Sequence, residues 1–310
     1  MARVRGSPRA NRLAKALFQD RYLWLLAVPA VVYYILFHYL PMYGLLIAFK
    51  DFSPFLGILR SPWVGFVWFE QFFTSIHFVR TVRNTLLLNF YGFFFNFTVP
   101  IIFALLLNEV HNSLFRRWVQ TISYIPHFVS IVVVVGLINA MFNTENGLVN
   151  TVMGRLGMET VPFLILPGWF RPLYIGSDIW QHFGWRAIIY LAALTAIDQE
   201  QYDAAWVDGA NRWQQLRFIT LPGIAPTIII LMILYVGQMM SVGFEKILLM
   251  YGPGTYETAD VISTFVYRRG IAGGDYSFAA AAGLFNSVIN LVLILMVNRM
   301  SRQFTGTSLW

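Results

Sequence analysis

The chain has 310 residues, of which 57% are hydrophobic, 17% aromatic and only 12% charged. A soluble domain carries about 25% charged residues, so a water-facing surface cannot be built from this composition, and a membrane protein remains. The net charge of +7 is not gathered on one soluble face, which gives no support for nucleic acid as a partner, and the absence of cysteine excludes disulfides, thiolate metal sites and a cysteine nucleophile.

The first 21 residues form a basic tail with Arg3, Arg5, Arg9, Arg12, Lys15 and Arg21. The apolar stretch behind it is too long for the core of a signal peptide and lacks a small-residue cleavage site, so it reads as a retained first helix. A charge at a helix centre costs about 2.5–3.5 kcal/mol on insertion scales, so stretches free of Asp, Glu, Lys and Arg mark the spans. Five qualify: Tyr22–Phe49, Asn84–Asn108, Trp118–Thr144, Phe218–Phe244 and Tyr276–Asn298. Each exceeds the ~20 residues a helix needs to cross the hydrocarbon. A sixth, about Ile175–Ile197, contains Asp178 and Arg186 and is predicted to be a span with buried charge.

The resulting architecture is all-α and polytopic, with six transmembrane helices over residues 22–298 between cytoplasmic tails 1–21 and 299–310. Segments 1–21, 109–117, 198–217 and 299–310 hold 12 Lys/Arg in 62 residues, against 9 in the 98 residues of 50–83, 145–177 and 245–275. Positive charge retains loops in the cytoplasm, which places both termini inside and leaves the basic residues to meet anionic lipid headgroups. Trp63, Trp68, Phe69, Phe72 and Phe73, with Trp169 and Phe170, suit outer segments lying at the membrane interface. Gly252-Pro253-Gly254 and Gly273-Gly274 punctuate outer loops, and Ala279–Ala282 followed by Gly283 forms a small-residue strip for close helix packing.

Catalytic signatures are missing. There is no G-x-x-x-x-G-K-[ST] loop, no H-E-x-x-H and no G-x-S-x-G, and His38, His77, His111, His127 and His182 lack ligand spacing. The expectation is a transport component, not an enzyme.

The cytoplasmic loop 198–222 carries the most information. Acidic residues at its front and good helix formers through Ala205 predict one short helix. Asp208-Gly209 predicts a turn, a second short helix follows to about Leu216, and Pro222 opens the next span. Such a projection suits docking in a groove of a partner. The spacing Asp203-Ala204-Ala205, three residues, Gly209, nine residues, Ile219-x-Leu221-Pro222 resembles the EAA loop of permeases of binding-protein-dependent ABC importers, with Asp in place of the usual Glu. Asn84-Thr85-Leu86, Tyr124-Ile125-Pro126-His127-Phe128 and Tyr190-Leu191-Ala192-Ala193-Leu194 are similar to the oligosaccharide branch, so the resemblance covers about residues 23–298.

That resemblance implies a type I importer fold and assigns Asp203, Ala204, Ala205, Gly209, Ile219, Leu221 and Pro222 to coupling with an ATPase on another chain. It also implies a second homologous permease, two copies of that ATPase and an extracytoplasmic solute-binding protein. No cofactor is expected on this chain; ATP and Mg2+ belong to the ATPase. Closure of the ATPase dimer would rock the permease halves between inward- and outward-open states.

Polar groups inside spans are candidates for the substrate path: Asn139 and Asn143 in the third span, Gln181, His182 and Trp185 in the fourth, Tyr235, Gln238 and Met239 in the fifth. Helix–helix hydrogen bonding is the competing role for each. Arg186 stands near the middle of its span, about 80° around the helix from Asp178, so their pairing is possible but not well aligned. A uronate carboxylate of an alginate- or pectin-like chain, or an acid of the second permease, would also explain it. A neutral sugar, peptide, polyamine or phosphate importer remains open, as does a membrane-embedded transferase acting on lipid-linked sugar.

Overall fold

The structure, a computed structural model, describes residues 21–237 and 243–305. Most of the basic tail and residues 306–310 lie outside that range. Among the described residues there is no strand, and one isolated bridge pairs Lys50 with Trp63.

The first span, α1 (Tyr22–Phe49), stands with most of its side chains uncovered and meets the body through its last turns, which lie on the final helix and against Trp63, Phe66 and Phe69. Pro41 lacks the N–H that a regular helix would use at that position, and the chain meets it with a widened turn at Ile35–Tyr39. Next come α2 (Phe78–Asn108), then α3 (Ser113–Tyr124) and α4 (Ile131–Phe142). They are followed by α5 (Pro167–Thr195), α6 (Gln199–Val207), α7 (Arg212–Gln215), α8 (Leu221–Val236), α9 (Phe244–Met250) and α10 (Tyr276–Thr305).

Four described helices are long and apolar enough to cross a membrane: α1, α2, the continuous run Arg212–Val236, and α10. The third expected span, Trp118–Thr144, is not one helix. It breaks between Phe128 and Ile131 with a bend of 100°. Pro126 removes a donor within the tight turn Ile125–Phe128, Val129 and Ser130 adopt extended backbone, and the Ser130 hydroxyl accepts from the Val133 amide to start α4 afresh. Counted as one broken span, that pair brings the candidate crossings among the described residues to five. The expected count of six rests on α5, whose 29 residues reach about 43 Å although Arg171, Asp178 and Arg186 interrupt its apolar character.

The centre of the bundle is α2 packed along α5, and clusters of buried side chains run from one end to the other. At one end Leu88, Phe170, Tyr174, Ile247 and Val261 close around the start of α5. Beside them Phe72, Ile262, Phe265, Phe278 and Ala282 seat α10. At the opposite end Ala104, Ala187, Tyr190, Leu194 and Ile224 join α2, α5 and α8. Phe72 and Phe170, expected at the membrane interface, are core residues instead, Phe72 packed with Ile262, Phe265 and Phe278 and Phe170 with Leu88 and Tyr174. The small-residue strip does pack closely: a side chain on Gly270 would collide with the Ala279 methyl.

Candidate functional site

The middle of α5 carries a polar face one helical turn at a time: Tyr174, Asp178, His182 and Arg186. Arg186 Nη1 lies 3.3 Å from Asp178 Oδ2, and His182 Nδ1 lies 3.2 Å from Asp178 Oδ1. The long guanidinium arm reaches back over two turns, which removes the apparent misalignment of the pair. Neither partner is sealed: the Asp178 side chain is 19% exposed and that of Arg186 34%.

The break between α3 and α4 lies directly against this face. Gln181 is buried and its Nε2 donates to the Val129 carbonyl at 2.8 Å, satisfying backbone that the break leaves outside any helix. Gly184 permits the approach, since a Cβ there would stand 2.3 Å from the Ser123 carbonyl oxygen. His127 is thereby stacked parallel on Trp185 at 4.5 Å and 4°, with Phe128 edge-on to the same indole at 5.4 Å and His182 5.4 Å from His127. Irregular backbone at membrane depth is tolerated where it is buried in protein or lines a water-filled cavity, and here it brings two aromatic rings beside a cation.

Lys246 on α9 completes the cluster. It is buried, donates from Nζ to the Tyr174 carbonyl at 3.0 Å and sits 4.9 Å over the Tyr174 ring. Sequence reasoning counted Lys246 only as outer-loop charge and quoted His127 and Phe128 only as part of a motif. The signals that point to them are a proline in the middle of an apolar stretch and a lone lysine at the edge of one.

The other expected path residues are dispersed. Tyr235 packs on Phe93, its hydroxyl lying over Gly92 beside Asn96. Asn143 accepts from the amides of Glu145 and Asn146 at 2.9 and 3.2 Å, an Asx turn that closes the loop after α4. Asn139 is exposed one turn earlier, and neither asparagine hydrogen-bonds to the Asp178–Arg186 cluster. Gln238 and Met239 lie outside the described residues.

At the opposite end of α5, loop 198–222 folds as the expected helix–turn–helix. Asp198 caps α6 by accepting from the Glu200 amide, and Gly209 takes φ +78°, the left-handed region that favours glycine. Asn211 and Gln214 form a capping box for α7. Asp203 and Ala204 are exposed and Ala205 half-buried, while Ile219 and Leu221 face partly inward and Pro222 opens α8. Trp206, Val207 and Trp213 project with 76%, 79% and 68% of their surface free, an apolar knob on a polar base. Tyr202 and Thr220 share a hydrogen bond, and Arg212 pairs with Glu109 beyond α2. Beside them opens a cavity of about 580 Å3 lined by Glu109, His111, Arg116, Asp203 and Arg212 among others.

Residues 96–306 match the family of binding-protein-dependent transport system inner membrane components. The chain belongs to that family. It is therefore a permease of a binding-protein-dependent importer, a membrane transport subunit and not an enzyme. Among curated relatives, Protein LplB of Bacillus subtilis is 44% identical over 295 residues, 95% of this chain and 93% of that protein. The polygalacturonan/rhamnogalacturonan transport system permease YteP of the same organism is 44% identical over 95% of this chain and 92% of its own. Two solved structures share the fold closely. A chain of a bacterial ABC transporter involved in the import of the acidic polysaccharide alginate superposes with a TM-score of 0.89 at 45% identity, covering 95% of the permease and 99% of that chain. A chain of the alginate transporter in complex with an alginate pentasaccharide-bound periplasmic protein gives 0.90 at 44%, covering 96% and 100%.

The permease closes its other end with a second polar cluster. Asp260 is fully buried; Arg80 and Arg268 donate to its Oδ2 at 2.9 and 2.8 Å and Thr264 to its Oδ1 at 3.1 Å. Asn84 Nδ2 donates to the carbonyls of Glu257 and Asp260, its Oδ1 accepts from Arg171, and Thr85 accepts from the Ile262 amide. Asn84 and Thr85 thus stitch the segment before α10 onto α2. Burial pulls the Arg268 pKa down, but the hydrogen bond and charge of Asp260 outweigh it and the net direction is up. His77, which faces Arg80 at 3.1 Å, is held below its ordinary value by burial and by the Arg80 charge.

Proposed function

We propose that this permease conducts acidic oligosaccharides, uronate-rich chains of the alginate or pectin type, and that Arg186 receives their carboxylates in the translocation cavity. The observation that carries this is the Arg186 guanidinium, one-third exposed, beside the Trp185–His127 stack at the break in the third crossing. A flat indole face suits a sugar ring, and a guanidinium suits a carboxylate in a way that no neutral sugar requires. Relatives named for polygalacturonan and for alginate agree with this chemistry.

In this reading both termini are cytoplasmic and six crossings span residues 22–298, with tails 1–21 and 299–310. Loop 198–222 seats Asp203, Ala204, Ala205 and Gly209, with the Trp206–Val207 knob, in a separate ATPase. Ile219, Leu221 and Pro222 link that plug to α8. A second permease pairs with this one, two ATPase copies supply ATP hydrolysis with Mg2+, and an extracytoplasmic binding protein delivers the sugar. The test is uptake of an acidic oligosaccharide and its carboxyl-reduced counterpart by the reconstituted importer and by Arg186→Met. The expected result is preference for the charged chain, lost in the variant. Equal treatment of both sugars by the unaltered importer would overturn the acidic cargo and leave the family assignment intact.

A further inference from the structure

Asp178 lies between two cations, and only one of them is bonded to it. Arg186 holds it at 3.3 Å, longer than the roughly 2.7–2.9 Å of a tight charge-assisted bond. Lys246 spends one donor on the Tyr174 carbonyl, which is one helical turn from Asp178, a rise of about 6 Å. It acts on both Asp178 and Arg186 through its charge. An ammonium has three donors, so Lys246 retains capacity to accept a second partner. The cluster therefore sets one acid against Arg186 and Lys246, with the His182 ring also on Asp178, where charge is expensive to leave unmatched.

We infer that Asp178 is a resident stand-in for the cargo's carboxylate: an acidic chain takes Arg186 from it, and Lys246 then keeps the released Asp178 paired. This rests on the acidic-cargo reading above. Removing one partner from a partly exposed pair leaves the other charge to be matched by water or by a neighbour. With Lys246 one turn away, the exchange replaces one charge-assisted pair by another and is near balance. A conducting site needs that property, since cargo bound without competition would enter and fail to leave. A neutral sugar brings no anion and leaves the Asp178–Arg186 pair closed. Asp178 and Lys246 are positioning residues here, and Arg186 is the group that touches cargo.

The test is equilibrium binding of an acidic oligosaccharide, and of its carboxyl-reduced form, to the assembled permease–ATPase complex without binding protein. Asp178→Asn removes the competitor and should tighten the acidic chain about tenfold, the scale of a charged hydrogen bond, while leaving the reduced chain within about twofold. Lys246→Gln should weaken the acidic chain by a similar factor, and Asp178→Asn combined with Lys246→Gln should restore at least the original affinity. Unchanged or weaker acidic binding in Asp178→Asn, or a double variant as weak as Lys246→Gln, overturns the exchange. If Lys246→Gln does not assemble, Asp178→Asn decides alone. An unaltered complex that shows no preference for the acidic chain fails the cargo reading instead, so the two failures are distinct.

Discussion

The permease holds two aspartates inside its helical body and treats them in opposite ways. Asp260 is inaccessible and accepts from two arginines and a threonine at 2.8–3.1 Å, so both of its oxygens are held by short bonds. Asp178 remains partly exposed, held by one long arginine contact and a histidine, with a second cation nearby. A closed shell around a fully buried acid makes it part of the scaffold, where losing it leaves two arginines without their shared counter-charge. An open shell leaves the acid and its arginine free to exchange partners. Burial separates the two, and the number and tightness of the donors follow it.

The sharpest way to break this comparison is to neutralise each acid by the same isosteric change. Asp260→Asn should cost about 2–3 kcal/mol, because the fully buried carboxylate that Arg80 and Arg268 share is lost, read as a clear fall in the thermal unfolding midpoint in detergent or as loss of assembled complex. Asp178→Asn should cost about 1 kcal/mol or less, as expected for a partly solvated pair. Equal losses would mean that Asp178 is as structural as Asp260.

A change at the coupling end should disturb transport without touching either acid. Ala205→Arg adds bulk and charge to α6, the proposed docking surface, so uptake and copurification of the ATPase should both fall at least about tenfold, equivalent to about 1.4 kcal/mol of lost docking, with an unchanged unfolding midpoint. Gly209→Asp should show the same loss, although its left-handed backbone means that it also strains the loop itself. Normal ATPase retention in both variants would contradict the coupling assignment.

Much of this was legible from charge gaps and turn chemistry. The apolar stretches became helices, and Asp208-Gly209 became the turn between α6 and α7 because only a glycine conformation closes it there. The break at Val129–Ser130 was only partly legible: Pro126 and the change from an amphipathic Ser113–Tyr124 to a uniformly apolar Ile131–Phe142 mark it, but a run free of Asp, Glu, Lys and Arg from Trp118 to Thr144 reads as one span. Lys246 was missed for another reason: its partner lies 72 residues away, and for Asp260 only Thr264 and Arg268 are near in sequence while Arg80 lies 180 residues away, a contact that no local pattern encodes. Asn84 and Thr85 stood out only as part of a motif, and the structure gives the cause, namely the backbone they tie down.

The smallest expected effect concerns pH. His77 is held below its ordinary value near 6.5 by burial and by Arg80, so below that pH the unfolded chain binds a proton that the folded chain resists. Stability should therefore decline as pH falls through that region and contribute no slope above it. His77→Gln should flatten the decline by under about 1 kcal/mol, measured as unfolding midpoints between acidic and neutral buffer. A midpoint that rises on acidification in the unaltered protein, and not in the variant, would reverse the sign.

The most direct measurement is the structure of the assembled importer trapped with an acidic oligosaccharide in its cavity. A cargo carboxylate should lie about 3 Å from the Arg186 guanidinium, with a sugar ring against Trp185 and with Asp178 released toward Lys246. Cargo found elsewhere, with Arg186 still bound to Asp178 or locked to an acid of the second permease, would contradict the role given to this site.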